Sequence, residues 1–521
     1  MKDHDYNKGE IHNIWEAMRA EKGDLEDRCE QYARWTLPGI CPVEGSEKTG
    51  TLDSYVIPGP RFANNLANKV VEAMFPHTRP FFNVNLSMEM QKKIRQEAGE
   101  EALATIKHES RKESRFVEDY AMSKLDLVAY RPIAVLMAQH LIITGNVLKR
   151  RLPDGSNVEY GVKDFGIRRA INGDPMEIVL KDAVSLDELP EDVQEKLQEK
   201  SRLQQYKAVG ATQQTTPKPY DLYTRFWKKG NRWLQEQECD GIPVGKRIGY
   251  SKRDFPCIPL TWSLSRGENY GRGLVEEHAK LFHNLDVTGE ALFDIFQISA
   301  DIKWVVSPAS LLDIIELNNS KRGSYHMGMP EDIQALSNDK VKELGVLLQS
   351  VERMERELSM VFLVGSSTIR DAERVTAQEV QLNALELETA FGGLYSRLAL
   401  DWQKKEADYL VGSLNIAALS KGDLFSVTIT TGMETLSREG HLQNFRNALA
   451  DLQLLEGVPE DIRGVINPLK VASFVFMQRG VDINEFMFTQ AELEQQQEQA
   501  RQQEEQQMNH EAASRAAAQG E

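Results

Sequence analysis

The feature that most constrains this chain is a pair of long helical patterns, from about Asn338 to Leu410, joined by the polar stretch VGSSTIRDAERVT. In the first, Val341, Leu344, Leu348, Val351, Leu358 and Phe362 recur at three-and-four spacing and form one apolar stripe, interrupted by Glu355. A helix continuous from Asn338 to Leu363 would be roughly 40 Å long at about 1.5 Å per residue. A small compact domain does not need such a rod, so it is expected to lie beside other long helices or copies of itself. The second pattern opens with a capping box, Thr376 with Glu379, and carries Leu387, Phe391, Leu394, Leu398 and Trp402 on one side, with a kink expected at Gly392-Gly393. Between the two, Gly365 to Arg374 has no periodicity and holds Arg370, Asp371, Glu373 and Arg374. A polar loop at the tip of two rods is well placed to touch something.

The remaining chain supplies a body for this pair. Helices are expected over His12 to Trp35, broken by LPGICPVEG, and over Arg61 to Phe75, where Phe62, Leu66, Val70 and Met74 repeat before Pro76. Met88 to about Ser123 is charge-rich and helical. Arg131 to Ile143 is more apolar and stops at Gly145. The period then changes: NVLKRRL, EYGVKDFGIRRAI, EIVLKD, YDLYTRFWKK and RWLQEQE read as strands of one small antiparallel sheet. Turns fall at Pro153-Asp154-Gly155, Asn172-Gly173-Asp174 and Gly230-Asn231, and a helical excursion runs from Pro190 to Lys207. Helix returns at Leu274 to Ile298, followed by a short strand, DIKWVVSP, and a polar stretch up to the helix at Asn338. The class is α+β, mainly helical. The last residues, Gln490 to Glu521, favour helix but have no apolar stripe to bury.

At 521 residues the chain exceeds one simple core, and its net charge of -17 argues against gripping nucleic acid by bulk electrostatics. The polar start, MKDHDYNKGE, has no signal-peptide pattern, and the longest apolar run, IAVLMAQHLIIT, is too short to span a bilayer and is interrupted by Gln139 and His140. Cys29, Cys41, Cys239 and Cys257 show no CxxC spacing, so free thiols in a reducing compartment are expected.

Signals for chemistry are sparse. RGENYGRG is glycine-rich before a helix but lacks a P-loop ending, so it reads as a turn setting the angle of that helix. His278 and His283 lie five apart on one expected helix without HExxH, which is not a zinc pattern. Lys149, Arg150 and Arg151 end a strand and read as surface. Asp371 and Glu373 beside two arginines read as a mixed-charge solvated loop, or as groups positioned against a phosphate backbone. No catalytic residue, metal site or cofactor is indicated.

Seven segments in order, RCEQYARWTLPGICP, RFANNLANKVVEAMFP, LIITGNVL, RGENYGRGLVEEHAKL, AERVTAQEV, LELETAFGGLYSRL and TTGMETLSREG, resemble the portal (head-to-tail connector) proteins of short-tailed, podovirus-type bacteriophages. The resemblance is collinear from roughly Ile11 to Gly440 and omits the Gln/Glu tail. It implies a ring of about twelve copies around a DNA channel. Residues 1–273 and 376–482 would form a wing, and 274–300 with 338–363 a stem of paired helices. Residues 301–337 would be a clip, 364–375 a channel loop, and 483–521 a crown with the tail.

The same resemblance implies channel-loop contacts from Ser366, Ser367, Thr368, Arg370, Asp371, Glu373 and Arg374, and partner docking at Lys321, Arg322 and Tyr325 in the clip. The implied partners are further copies of the chain, the large terminase, a tail adaptor protein, the scaffold and major capsid protein, and internal core proteins. Double-stranded DNA would pass without sequence readout, and no membrane is involved. The protein would be made in the bacterial host cytoplasm and reside at the capsid portal vertex, without enzymatic activity. Two other classes stay open on the residues alone. A non-viral helical scaffold or adaptor forming coiled-coil assemblies predicts sustained heptads, and a nucleic-acid enzyme predicts paired acids on neighbouring strands.

Overall fold

The computed structural model describes residues 9–43, 54–76, 80–207, 219–252, 254–300, 304–307, 315, 319–321, 329, 333–335, 341–364, 390–413 and 425–429. All of them belong to one compact unit that ends at Gly432.

The expected N-terminal helix is two, α1 (Glu10–Lys22) and α2 (Leu25–Trp35), because Gly23 takes φ 53° and ψ -129° between them. Helix α3 (Gly59–Met74) follows the predicted four-residue repeat and buries Phe62, Leu66, Val70 and Met74. The charge-rich helix α4 (Met88–Leu127) is capped by Ser87, whose hydroxyl accepts from the Met90 N–H, and it is bent at Gly99. Helix α5 (Tyr130–Thr144) is the central rod, and it stops at Gly145 as expected. Gln139 and His140, which interrupt its apolar run, are accommodated differently. Gln139 donates to Asn64 Oδ1 at 2.8 Å, whereas His140 is buried and its pKa is pushed down to about 4 by that burial, so it sits in the core neutral.

The strand block forms two sheets rather than one. Strands β2 (Asn146–Arg151), β3 (Asn157–Tyr160) and β9 (Cys257–Thr261) pair in the order β3-β2-β9. Strands β4 (Phe165–Arg169), β5 (Pro175–Val184), β6 (Tyr220–Lys229), β7 (Arg232–Cys239) and β8 (Ile242–Ser251) form an antiparallel meander in chain order. A turn with the Asp164 N–H on the Gly161 carbonyl splits the stretch read as a single strand, EYGVKDFGIRRAI, into β3 and β4. The sheets enclose their own core, with Leu148 and Cys257 from one facing Phe165, Ile178, Leu180, Phe226 and Trp233 from the other. The other face of the meander is covered by α1, through Ile11, Trp15 and Met18 against Val179 and Tyr223. The predicted excursion is α6 (Glu191–Lys207), which packs Val193 and Leu197, with Leu189 just before it, onto Cys239 and Val244.

The glycine-rich turn does set the next helix. Asn146 Oδ1 accepts from the Gly271 N–H at 2.7 Å, and Asn146 Nδ2 donates to the Gly271 carbonyl. The helix expected from Leu274 is broken at His278 into α7 (Leu274–Glu277) and α8 (Ala279–Ala300), so His278 and His283 do not share a helix. Two short strands, β10 (Trp304–Val306) and β11 (Ile333–Ala335), pair antiparallel beyond α8. Helix α9 (Val341–Val361) then packs along α8. Of its predicted stripe, Leu358 and Phe362 are buried and Val351 half-buried, whereas Leu348 is exposed and the side chains of Val341 and Leu344 lie outside the description. Half-buried Glu355 sits in that stripe, and burial with nearby Glu352 raises its pKa.

Residues 390–398 are helical through Gly392 and Gly393. The irregularity expected at that pair lies further on, in a π-turn at Ala399–Gln403 that leads into α10 (Lys404–Ser413). Strand β1 (Phe82–Leu86) and strand β12 (Phe425–Ile429) pair antiparallel, from Phe82 opposite Ile429 to Leu86 opposite Phe425. Among the described residues no single helix is long and apolar enough to cross a membrane. All four cysteines are free and buried, and burial raises their thiol pKa values, those of Cys41 and Cys257 to about 12.

Candidate functional site at the two anchors of residues 365–389

The loop residues singled out in the sequence, Ser366, Ser367, Thr368, Arg370, Asp371, Glu373 and Arg374, lie outside the described residues, as does the capping box at Thr376. What the structure describes are the two flanks, up to residue 364 and from residue 390. The first is the end of α9. The last carbonyls of a helix have no partner within it, and here α3 supplies one. Asn65 Nδ2 donates to the carbonyls of Phe362 and Leu363 at 3.3 and 3.2 Å, and Lys69 Nζ donates to that of Leu363 at 2.9 Å. A cation at a helix C-terminus also faces the negative end of the dipole. Leu363 takes a left-handed φ of 53°, and the Val364 N–H closes back on the Ser359 carbonyl at 2.7 Å. Phe362 is wedged between Phe62 and Phe282, at ring separations of 5.6 and 5.8 Å. The chain therefore leaves for residue 365 from a clamped position.

The second anchor is where it returns. The π-turn adds a residue to one helical turn and is followed by a fully buried polar group, the Glu406 carboxylate. Glu406 accepts from Lys149 Nζ through Oε2 and from Arg151 Nη2 through Oε1 at 2.6 Å. The Lys149 side chain is 0% exposed and that of Glu406 1%. Burial acts to raise the Glu406 pKa, but the two cations outweigh it and hold the carboxyl below its ordinary value. Burial pushes Lys149 down to about 8 against the attraction of Glu406. Lys149 also lies over the Tyr130 ring at 4.7 Å, and Trp402 Nε1 donates to the Tyr130 hydroxyl at 2.7 Å. Gln403 Nε2 donates to the Met74 carbonyl, and the Tyr395 hydroxyl to that of Ala73.

The reading of Lys149 to Arg151 as surface is therefore wrong. In a strand successive side chains alternate, so Lys149 and Arg151 point together at Glu406 while Arg150 turns the other way, to Asp182 at 3.4 Å. A signal was present in the sequence: Leu398 and Trp402 are followed four residues on by Glu406, an acid continuing an apolar stripe. Nothing equivalent announced Asn65 or Lys69.

The triad is enclosed and presents no open face to a substrate. No cluster of three or more potential metal ligands occurs among the described residues. In the proposed clip, Lys321 is exposed, whereas Arg322 and Tyr325 lie outside the described residues. The geometry is that of a scaffold, with the end of α9 clamped by α3 and α10 tied to β2 through Glu406.

Comparison with known proteins agrees. The family model for bacteriophage head to tail connecting protein matches residues 8–485. The portal protein of Enterobacteria phage SP6 is 29% identical over 491 residues, covering 94% of this chain and 91% of that one. The portal protein of Escherichia phage T7 is 26% identical over 499 residues, at 93% and 89% coverage. That of Pseudomonas phage phiKMV is 29% identical over 503 residues, covering 93% of each. Among solved structures, the neck of a native GTA particle computed with C12 symmetry aligns over 81% of this chain and 92% of that one, at 9% identity and a TM-score of 0.33. That likeness is too weak to carry an argument.

These matches define a structural, non-enzymatic part of a phage particle. The chain belongs to the bacteriophage head to tail connecting protein family. It works as a portal, a ring-forming component of the capsid vertex where the tail attaches.

Proposed function

We propose that this portal closes as a ring of twelve and that double-stranded DNA passes through its centre during packaging and ejection. In this reading α8 and α9, within 274–300 and 338–363, are the stem, and the β10–β11 ribbon belongs to a clip at 301–337. Residues 364–375 line the channel, 1–273 and 376–482 form the wing, and 483–521 form the crown. The observation that carries the assignment is the α8–α9 pair itself. The two helices pack along each other, are connected through a small antiparallel ribbon, and enter the main core through Phe282 and Phe362. Exposed Val287, Phe293 and Phe296 on α8 and Val346 and Met360 on α9 leave apolar surface for neighbouring stems.

The large terminase docks on the clip around Lys321, Arg322 and Tyr325 and is later replaced by the tail adaptor. Scaffold, major capsid protein and internal core proteins meet the outer surface. Arg370 and Arg374 give the channel a light, sequence-independent contact with phosphate, set against Asp371 and Glu373 in the same loop. The protein is made in the cytoplasm of the bacterial host before it enters the capsid.

Native mass spectrometry and negative-stain electron microscopy of one purified sample test the ring. A closed ring with a central hole at twelve times 59.1 kDa is expected. An extended coiled-coil rod would move the chain to the scaffold class instead.

A further inference from the structure

The five-stranded meander carries opposite charge at its two ends. Where β5 stops, with Val184 opposite Tyr220, the crossover and α6 expose Asp187, Glu188, Glu191, Asp192, Glu195 and Glu199, against an exposed Lys196 and a Lys200 that pairs with Asp240. At the other end Lys229 lies opposite Arg232 and Arg232 opposite Ser251, and there Lys228, Lys229, Arg232 and Lys252 are exposed. The two acids beside them, Asp174 and Asp254, are held within their own turns by Asn172 Nδ2 and Ser251 Oγ.

Several charges of the sheet and its crossover are matched inside the chain: Lys181 with Asp221, Arg225 with Glu177, Arg247 with Glu236, Lys200 with Asp240. The two end clusters are not matched in this way among the described residues. Nor can they neutralise each other within one chain. Ten-residue strands hold them on the order of 30 Å apart, against a screening length of about 10 Å at 0.1 M salt.

Acids in the first turn of a helix favour its dipole, which accounts for Glu191 and Asp192 but not for the other four. The basic tip has no local account at all. A ring built on one heterologous interface sets different patches of the same chain face to face, and two unmatched clusters of opposite sign on one sheet suit such a contact. A polyanion such as DNA would explain the basic tip alone and leave the acidic end without a role.

We propose that the basic β6–β7 hairpin tip of one subunit docks on the acidic α6 end of the next subunit around the ring. This rests on the ring reading above. Exposed charge pairs of this kind chiefly set orientation and association rate, so they select the closing geometry rather than supply most of the affinity.

The test uses the full chain in three forms beside the unaltered protein: Lys229→Glu with Arg232→Glu, Glu195→Lys with Glu199→Lys, and all four together. The acids chosen lie beyond the first turn of α6, which spares the dipole. Ring fraction is read by native mass spectrometry and sedimentation, and folding by circular dichroism. Each reversed pair is expected to lower the ring fraction at least about tenfold by like-charge repulsion, and the fourfold variant to restore it. If the basic reversal misfolds, Lys229→Gln with Arg232→Gln is expected to lower the ring fraction and flatten its salt dependence, and an unchanged salt dependence overturns the proposal. Rings that form equally well in either reversed pair, or a fourfold variant that fails to recover, also overturn it. Intact rings that lose only DNA retention would overturn it in favour of a polyanion contact. Failure of the unaltered protein to form rings would remove the ring reading itself, and this inference with it.

Discussion

Glu406 shows what a single buried charge does here. It neutralises one of two cations that the strand pattern of β2 turns into the interior, and the pairing brings α10 against that sheet. A buried pair is weak evidence for net stability, but removing one partner leaves an uncompensated charge and costs about 3–5 kcal/mol. Glu406→Gln keeps the shape and removes the charge, so a clear loss of melting temperature is expected by calorimetry. The pH dependence has a definite sign. The folded carboxyl titrates below its unfolded value, so its stabilisation is present above the ordinary carboxylate pKa of 4.5 and is lost as pH falls through the folded value. The variant should lack that acid limb. A Glu406→Gln protein with the parent's melting temperature and the parent's acid limb would show that the triad contributes nothing to holding the segment.

At the scale of elements, the sequence was most legible where a pattern was long and local. The period of four in α3, the C-terminal half of the α9 stripe and the Gly145 stop after α5 all formed as their spacing dictates. Its failures were matters of long-range pairing: β1 meets β12 across most of the chain, and β9 joins β2 from beyond the whole meander. No local period encodes such partners, and short strands such as these depend on them. The kink placed at Gly392-Gly393 failed for a related reason. Tertiary demands of Trp402, Gln403 and Glu406 place the irregularity at the π-turn, whereas the glycines are tolerated within a helix. The anchors of the candidate site were half readable, through Glu406 on the stripe, while the polar loop between the two helical patterns was read from its lack of periodicity and its channel role from resemblance. Gly145 is where elements meet most tightly, at a φ of 76° with an added Cβ only 2.4 Å from the Arg272 backbone. Gly145→Ala should therefore shift backbone at the α5–β2 junction and the turn before α7, costing more than about 2 kcal/mol. Chemical denaturation measures it, and a midpoint equal to the parent's would mean that the junction yields freely.

For the whole molecule, the electrostatics of a conduit decide the expectation. In the proposed ring, twelve chains at -17 each would sum to roughly -200, which would repel DNA phosphate and let a duplex move without adhering. A uniformly repulsive wall gives no grip at the point where the duplex must be centred or held, so any grip has to be local. In the proposed ring Arg370 and Arg374 would supply such a contact, and phosphate contacts of this kind weaken steeply as salt rises. Because Asn65 and Lys69 hold the end of α9 and Lys149 and Arg151 hold Glu406 on α10, altering Arg370 and Arg374 should leave these contacts intact. Arg370→Ala with Arg374→Ala is accordingly expected to assemble normal rings while packaging or retaining less DNA, with the deficit growing at higher ionic strength. Packaging yield in phage particles carrying the double variant measures this directly. A normal yield at every salt concentration would take the loop arginines out of the mechanism and leave passage to the repulsive wall alone.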